Sequence, residues 1–526
     1  MSFRNRAWFG IRRTTRLTGV ALAAVVAVSA CGGPSSTGAA APSGKADTIE
    51  AGISYGLSTG FDPMNTSGAT PFAANLHIFE ALVDLDPVTR KSYPALAEAM
   101  PEKVSDTSYR VKLRSGATFH NGDPVTAEDV AFTFGRILDP ANKSLMRQFL
   151  PFLASVTAVD ERTVEFTLST RTALFAERLA VARIVPKKVV TADPKGFDAK
   201  PVGSGPYALV EAIQQDKIVF KGYDRYNGPR PAKVPNLVWR LTADPASRVS
   251  AIESGQVHAI EDVPYTDVQR LSQKIKVDSV QSFGMLFLMF NTSAAPFSDK
   301  RVRQALHYAM DTQKIIGTAM AGNGTAATSY VQKGHPEYVE ASTVYTLNQD
   351  KAKALLAEAG VGDLSITLSH TDTGWVKDIA PLVKASWDAI GVKTTLDVAD
   401  SAGTYKKVDA GQFQVLLAPG DPSVFGNDLD LLMRWFYAND TWVKKRFRWD
   451  GAPQKQVVAL LDQAAGSVDA AERKKLWGQA IDIVADEVPL YPILHRKLPT
   501  AWNDKALPGF GPLPTTGLAF LDVGRA

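Results

Sequence analysis

The chain has 526 residues, 58 basic and 54 acidic, a formal charge of +4 and one cysteine. Five arginines (Arg4, Arg6, Arg12, Arg13 and Arg16) sit in the first 16 residues, so the rest carries 53 basic against 54 acidic residues and is close to neutral. That excludes a basic nucleic-acid-binding body and any internal disulfide; stability must come from core burial over two or three domains.

Residues 17–30, LTGVALAAVVAVSA, carry no charge and follow the basic stretch, the pattern of a signal peptide. As a helix they reach only ~21 Å, short of a ~30 Å hydrocarbon core, which argues against a permanent span. Val28-Ser29-Ala30-Cys31 resembles a bacterial lipobox, so Cys31 is expected to become a lipid anchor after removal of residues 1–30. The Arg12-Arg13 pair lacks the apolar residues of a twin-arginine signal, which favours general secretion. Residues 31–47 are rich in Gly, Pro, Ser and Ala and read as a flexible tether of about 20 Å root-mean-square reach.

Beyond the tether, strand and helix patterns alternate, favouring an α/β protein. SYRVKLRSG (108–116) and TVEFTLS (163–169) alternate as strands do. Thr126 and Asp129 form a capping-box pair ahead of the apolar stripe Val130, Phe134, Ile137 and Leu138. Further helices are expected from Ser298, with Val302, Ala305, Leu306, Ala309 and Met310 on one face, and from Asn348 to Gly360. SITLSH, a helix near 374–390 and VKTTLDV predict a β-α-β unit within 364–398.

Catalytic and metal motifs are missing. The seven histidines show no i, i+4 pairing and none lies beside the cysteine, so no zinc pattern exists. No phosphate-cradling loop is present. VGSGPY (202–207) lacks the spacing of a nucleophile elbow, and its glycines read as a turn before a strand. His120 sits in FHNGDPVT, where Asn121-Gly122 predicts a turn. No cofactor, no metal and no enzymatic activity are expected.

Taken in order, YPALAEAMPEKVSDTSYRVKLRSGATFHNGDPVTAEDVAFTFGRILDP (93–140), GSGPYALVE (203–211), AIESGQVHAI (251–260), FNTSAAPFSDKRVRQALHYAMD (290–311), DKAKALLAEAG (350–360) and DEVPLYPI (486–493) resemble the landmarks of family 5 extracellular solute-binding proteins. The resemblance spans about residues 49–500. It implies an α/β, two-lobed periplasmic-binding-protein-like fold with an additional subdomain in the first lobe. Residues 48–282 would form the first lobe, with the subdomain at about 86–199. Residues 283–494 would form the second lobe, and 495–526 a return to the first. FGMLFLMFN (283–291) and LYPILHRK (490–497) are the expected crossings.

The implied function is capture of an extracellular solute, foremost a peptide, and delivery to the permease of an ABC importer. The protein is expected to be a monomer, lipid-anchored to the outer face of the cytoplasmic membrane, with no nucleic acid among its partners. Alternatives are an oligosaccharide, glutathione-like, haem or chelated-metal solute, an envelope-regulating scaffold, or an exported hydrolase. The resemblance places Asp421, in APGDPS, where peptide binders hold an amino group; Leu417-Ala418-Pro419 stand where an aromatic often precedes it, and Asp421-Pro422 is equally a turn. RWFYANDTWVKKRFRW (434–449) has six aromatics and five basic residues, from which Trp435 and Tyr437 are candidate ligand contacts. His495 is the fourth candidate, near a family aromatic contact, with a core or hinge role as the other reading.

Overall fold

The computed structural model describes residues 47–526; the leader and Cys31 lie outside the described residues. The largest sheet has 11 strands, and its order explains how two lobes share one framework. On one side, Thr48–Ile53 runs parallel to Asn236–Leu241 and to Ala259–Ile260, and Lys217–Gly222 and Tyr207–Ile213 extend the sheet antiparallel. On the other, Ser365–Thr371 runs parallel to Lys393–Ala399 and Val415–Gly420. The expected β-α-β unit is present, its helix spanning Gly374–Asp388.

Two long antiparallel strands, Lys276–Phe290 and Leu490–Trp502, join the halves. They extend beyond the expected crossings because their outer ends pair within the first lobe, from Lys276 opposite Trp502. The last nine residues of the first crossing are buried, alternating between two cores. Phe283, Met285, Phe287 and Met289 pack into one; Leu286, Leu288 and Phe290 pack into the other. A continuous apolar run is what burial on both faces requires. Register shifts between Gln281 and Met285, so a β-bulge interrupts the ladder where the lobes meet.

The subdomain is a four-stranded antiparallel sheet, Glu102–Ser105, Ser108–Lys112, Thr163–Leu168 and Leu153–Ala158 in spatial order. Helix Ala127–Leu138 covers it. Both hydrogen bonds of its capping box are present, and Val130, Phe134 and Ile137 are buried. Phe134 meets Phe166 edge to face, centroids 5.2 Å apart. The helix expected from Ser298 begins at Lys300, because the Asp299 side chain accepts the Arg301 N–H and serves as its cap.

His120 belongs to a turn, with Gly122 at φ +90°. Its Nδ1 accepts the Gly203 N–H at 3.3 Å, so its Nε2 donates to Gly205 O at 2.9 Å. Burial lowers its pKa to about 4, keeping it neutral. A Cβ on Gly203 would approach Ile78 O to 2.0 Å and one on Gly205 would approach His77 O to 2.4 Å, so both glycines allow close backbone approach. The segment after Trp502 returns to the first lobe. Phe510, Leu518 and Phe520 share its core with Trp239 and Trp502, and Phe520 N–H donates to His77 Nε2 at 3.0 Å.

Candidate functional site: the crevice between the lobes

Ligands of open α/β sheets bind outside the carboxyl ends of parallel strands. In the first lobe those ends deliver Ser54-Tyr55 after Thr48–Ile53 and Glu261-Asp262 after Ala259–Ile260. In the second they deliver Trp375, at the start of helix Gly374–Asp388, and Asp421 after Val415–Gly420. Contacts bring the two sets together. Asp421 Oδ2 accepts from Thr516 N–H and Thr516 Oγ1, both at 2.9 Å, and from Thr515 Oγ1 at 3.3 Å. The first-lobe segment carrying these threonines is held by Gly517 N–H donating to Glu261 Oε2 at 3.0 Å. Arg496, on the second crossing, pairs with Asp262, and its guanidinium lies over Trp375, 4.7 Å from the ring centre. Arg496 Nη1 and Trp375 Nε1 are buried there without hydrogen-bond partners among the described residues.

Charge at this junction is tuned by burial. Desolvation raises the pKa of Glu261, with the Asp262 charge adding to it. Asp262 feels the same desolvation, but Arg496 and Arg248 outweigh it and hold its carboxyl below the usual range. Tyr55 is pushed up by burial and by Asp262, so its hydroxyl stays protonated.

A second cluster of charge joins the subdomain to the second lobe. Arg178 Nη2 reaches Asp428 at 2.5 Å and Asp430 at 2.6 Å, and its Nη1 donates to Phe149 O at 2.8 Å. Asp430 also takes Arg434 Nε at 2.8 Å, and Arg434 Nη2 reaches Asp462 at 2.8 Å. Burial opposes the Asp430 charge, but Arg434 and Arg178 overcome it and depress its pKa.

The four sequence candidates in the described residues separate. Asp421 lies in the crevice. Trp435 lies at the lobe junction, stacked on Phe149 of the subdomain with centroids 6.1 Å apart, and 4.7 Å from Phe425, which meets first-lobe Phe72 at 4.9 Å. Tyr437 is placed differently from expectation. It is wholly buried in the second lobe, its hydroxyl donating to Leu490 O at 2.6 Å and its ring 5.6 Å from Tyr330. Two residues along a helix turn the side chain by about 200°, so Trp435 and Tyr437 cannot face one cleft. His495 is sealed in the hinge, with Nδ1 2.7 Å from Phe283 O, and burial lowers its pKa to about 4. The basic residues nearby serve local packing: Lys445 and Arg446 pair with Asp409, and Arg446 lies 4.4 Å from the Tyr405 ring centre and 4.2 Å from that of Trp442. Cys31 lies outside the described residues.

Sequence reasoning missed Trp375, Glu261, Asp262 and Arg496. Glu261 and Asp262 directly follow Ala259–Ile260, and Trp375 comes four residues after Ser365–Thr371, so the carboxyl-end rule reaches all three once those strands are placed. Nothing local in the sequence singles out Thr515 and Thr516. Among the described residues no group of three His, Cys, Asp or Glu side chains could hold a metal ion, and no helix is long and apolar enough to cross a membrane.

Two α/β lobes, a bulged pair of crossing strands and a crevice lined from both lobes define a solute-binding protein. Residues 91–442 match the bacterial extracellular solute-binding proteins, family 5 (middle), and the chain belongs to that family. It is 29% identical to a dipeptide-binding protein of Pseudomonas aeruginosa, over 90% of this chain and 94% of the relative. It is 27% identical to the glutathione-binding protein GsiB of Escherichia coli, over 88% and 92%. Among solved structures, the binding protein AgaA from A. tumefaciens R10, in complex with agropinic acid, has a TM-score of 0.81 at 29% identity, covering 91% of this chain and 99% of that one. A dipeptide-binding protein from Pseudoalteromonas in complex with Met-Leu has a TM-score of 0.83 at 21% identity, covering 91% and 100%. Members of this family bind solutes for transport and are not enzymes.

Proposed function

We propose that this chain captures a short peptide between its lobes outside the cell and hands it to the permease of an ABC importer. The observation that carries the reading is Asp421: a carboxylate at the carboxyl end of a second-lobe strand, inside the crevice and suited to an ammonium group. The relatives described as dipeptide-binding and di/tripeptide-binding support it. The working division is a first lobe at 48–282 with its subdomain at 86–199, a second lobe at 283–494 and a return at 495–526. Asp421 and Trp435 contact ligand, His495 serves the hinge, and the protein acts as a monomer.

Closure follows from the two crossings, because a ligand touching both lobes binds the closed state better than the open one. Calorimetry with dipeptides, followed by small-angle scattering of the same samples, tests this. Binding is expected to reduce the radius of gyration; proven binding with an unchanged radius counts against a closing crevice.

The lipobox-like run ending at Cys31 supports anchoring to the outer face of the cytoplasmic membrane. A tether there keeps the body near its permease and raises the effective concentration of one for the other. Cys31→Ala is expected to move the protein from the membrane to the soluble fraction. Partition into detergent like that of the parent would end the anchoring reading.

A further inference from the structure

Three residues beyond Asp421, at Val424 and Phe425, the second-lobe loop meets a small cavity of about 20 Å³ that opens to solvent. Asp84, Arg90 and Tyr93 come from the hairpin of strands Val83–Leu85 and Ser92–Pro94 and its turn, Arg183 from the subdomain, and Phe425 from the second lobe. Most charges around it are matched. Arg183 pairs with Asp84, and Arg230 pairs with Asp86. Asp421 takes Ser423 and the threonine pair.

Arg90 differs. Among the described residues no carboxylate comes within ion-pair distance of it. Its Nη2 donates to Ser423 O at 2.6 Å, and its Nε is buried with no partner among the described residues. Ser423 also bonds Asp421, so one residue links the guanidinium to the amino-group anchor. The backbone of Arg90 is at φ +59°, in the left-handed region that glycine prefers. That conformation belongs to the turn closed by Arg90 N–H donating to Asp86 O. The Asp421, Asp84 and Asp86 charges favour the guanidinium from beyond ion-pair distance, and a buried charge is costly unless it is directly paired.

We propose that Arg90 is a specificity-determining residue that pairs with a carboxylate carried close to the ligand's amino group. The inference rests on the amino-group role of Asp421 proposed above. It narrows the solute to zwitterions with an acidic group near the amine, either an acidic first side chain or a carboxylate on the amine-bearing carbon. Burial lowers the Arg90 pKa only to about 10, so it stays cationic at neutral pH.

Calorimetry on the full chain with Glu-Leu and Gln-Leu tests the inference. The parent is expected to favour Glu-Leu by about tenfold or more, the scale of a charge-assisted contact in a closed site. Arg90→Gly suits the backbone of the turn and therefore folds. It should weaken Glu-Leu by about tenfold and Gln-Leu by less than about threefold. Equal weakening of both peptides, or a parent that binds them alike, overturns the inference and leaves peptide capture intact. Glutathione and its γ-glutamyl α-carboxamide form a second pair. A parent that ignores both dipeptides but holds glutathione through Arg90 supports the inference and ends the peptide reading. Binding of none of the four overturns both.

Discussion

Asp421→Ala is expected to weaken binding of an unblocked dipeptide by about 30-fold or more. Losing one partner of a desolvated charge pair costs about 2–5 kcal/mol, and each ~1.4 kcal/mol is a decade of affinity. The variant also loses the hydrogen bonds from Ser423, Thr515 and Thr516, so a control is needed. An N-acetylated dipeptide has no ammonium, should bind the parent poorly, and should lose little more in Asp421→Ala. Calorimetry on both proteins with both ligands makes the comparison. Equal losses would show that Asp421 positions the Thr515–Thr516 segment and does not read the amino group.

Asp430→Ala is expected to lower unfolding stability by about 3–5 kcal/mol, because it leaves Arg178 and Arg434 buried with one carboxylate each. Urea denaturation at neutral pH reads this, and a loss below ~1 kcal/mol would mean the network relaxes at little cost. The pH dependence has a definite sign. The folded-state pKa of Asp430 is depressed, so its contribution is present above the unfolded value of about 3.9 and lost as pH falls through the folded value. Asp430→Asn should therefore flatten the acid side of the stability profile. A profile that declines as steeply as the parent's between pH 5 and pH 2 (an interval of about three units) would assign acid sensitivity to other groups.

Local hydrogen bonding made some elements legible from sequence. The Thr126 capping box and the Asn348 cap depend on residues a few positions apart, and both are present. The helix start at Ser298 was displaced because Asp299 offers the better cap, a competition between neighbours that the apolar period does not report. The crossings were recognisable as apolar runs, but their outer ends alternate in burial and depend on distant strands. At the crevice, Asp421 was legible through the family's loop. Tyr437 was misplaced because composition counts aromatics without regard to helix face. Arg90 carried no signal: in DPVTRK it reads as a surface turn, and only the approach of the second-lobe loop buries its guanidinium.

The return of residues 503–526 to the first lobe bears on biogenesis. The bond from Phe520 to His77 spans 443 positions in the sequence, and Phe520 also fills the core around Trp239. That core cannot be completed until residue 520 has been synthesised, and contacts so distant along the chain form slowly. The first lobe is therefore expected to finish folding late, whereas the second lobe is bounded by shorter separations. The segment bearing Thr515 and Thr516 in the crevice wall would be laid down last, so the crevice is complete only once residues 503–526 are in place.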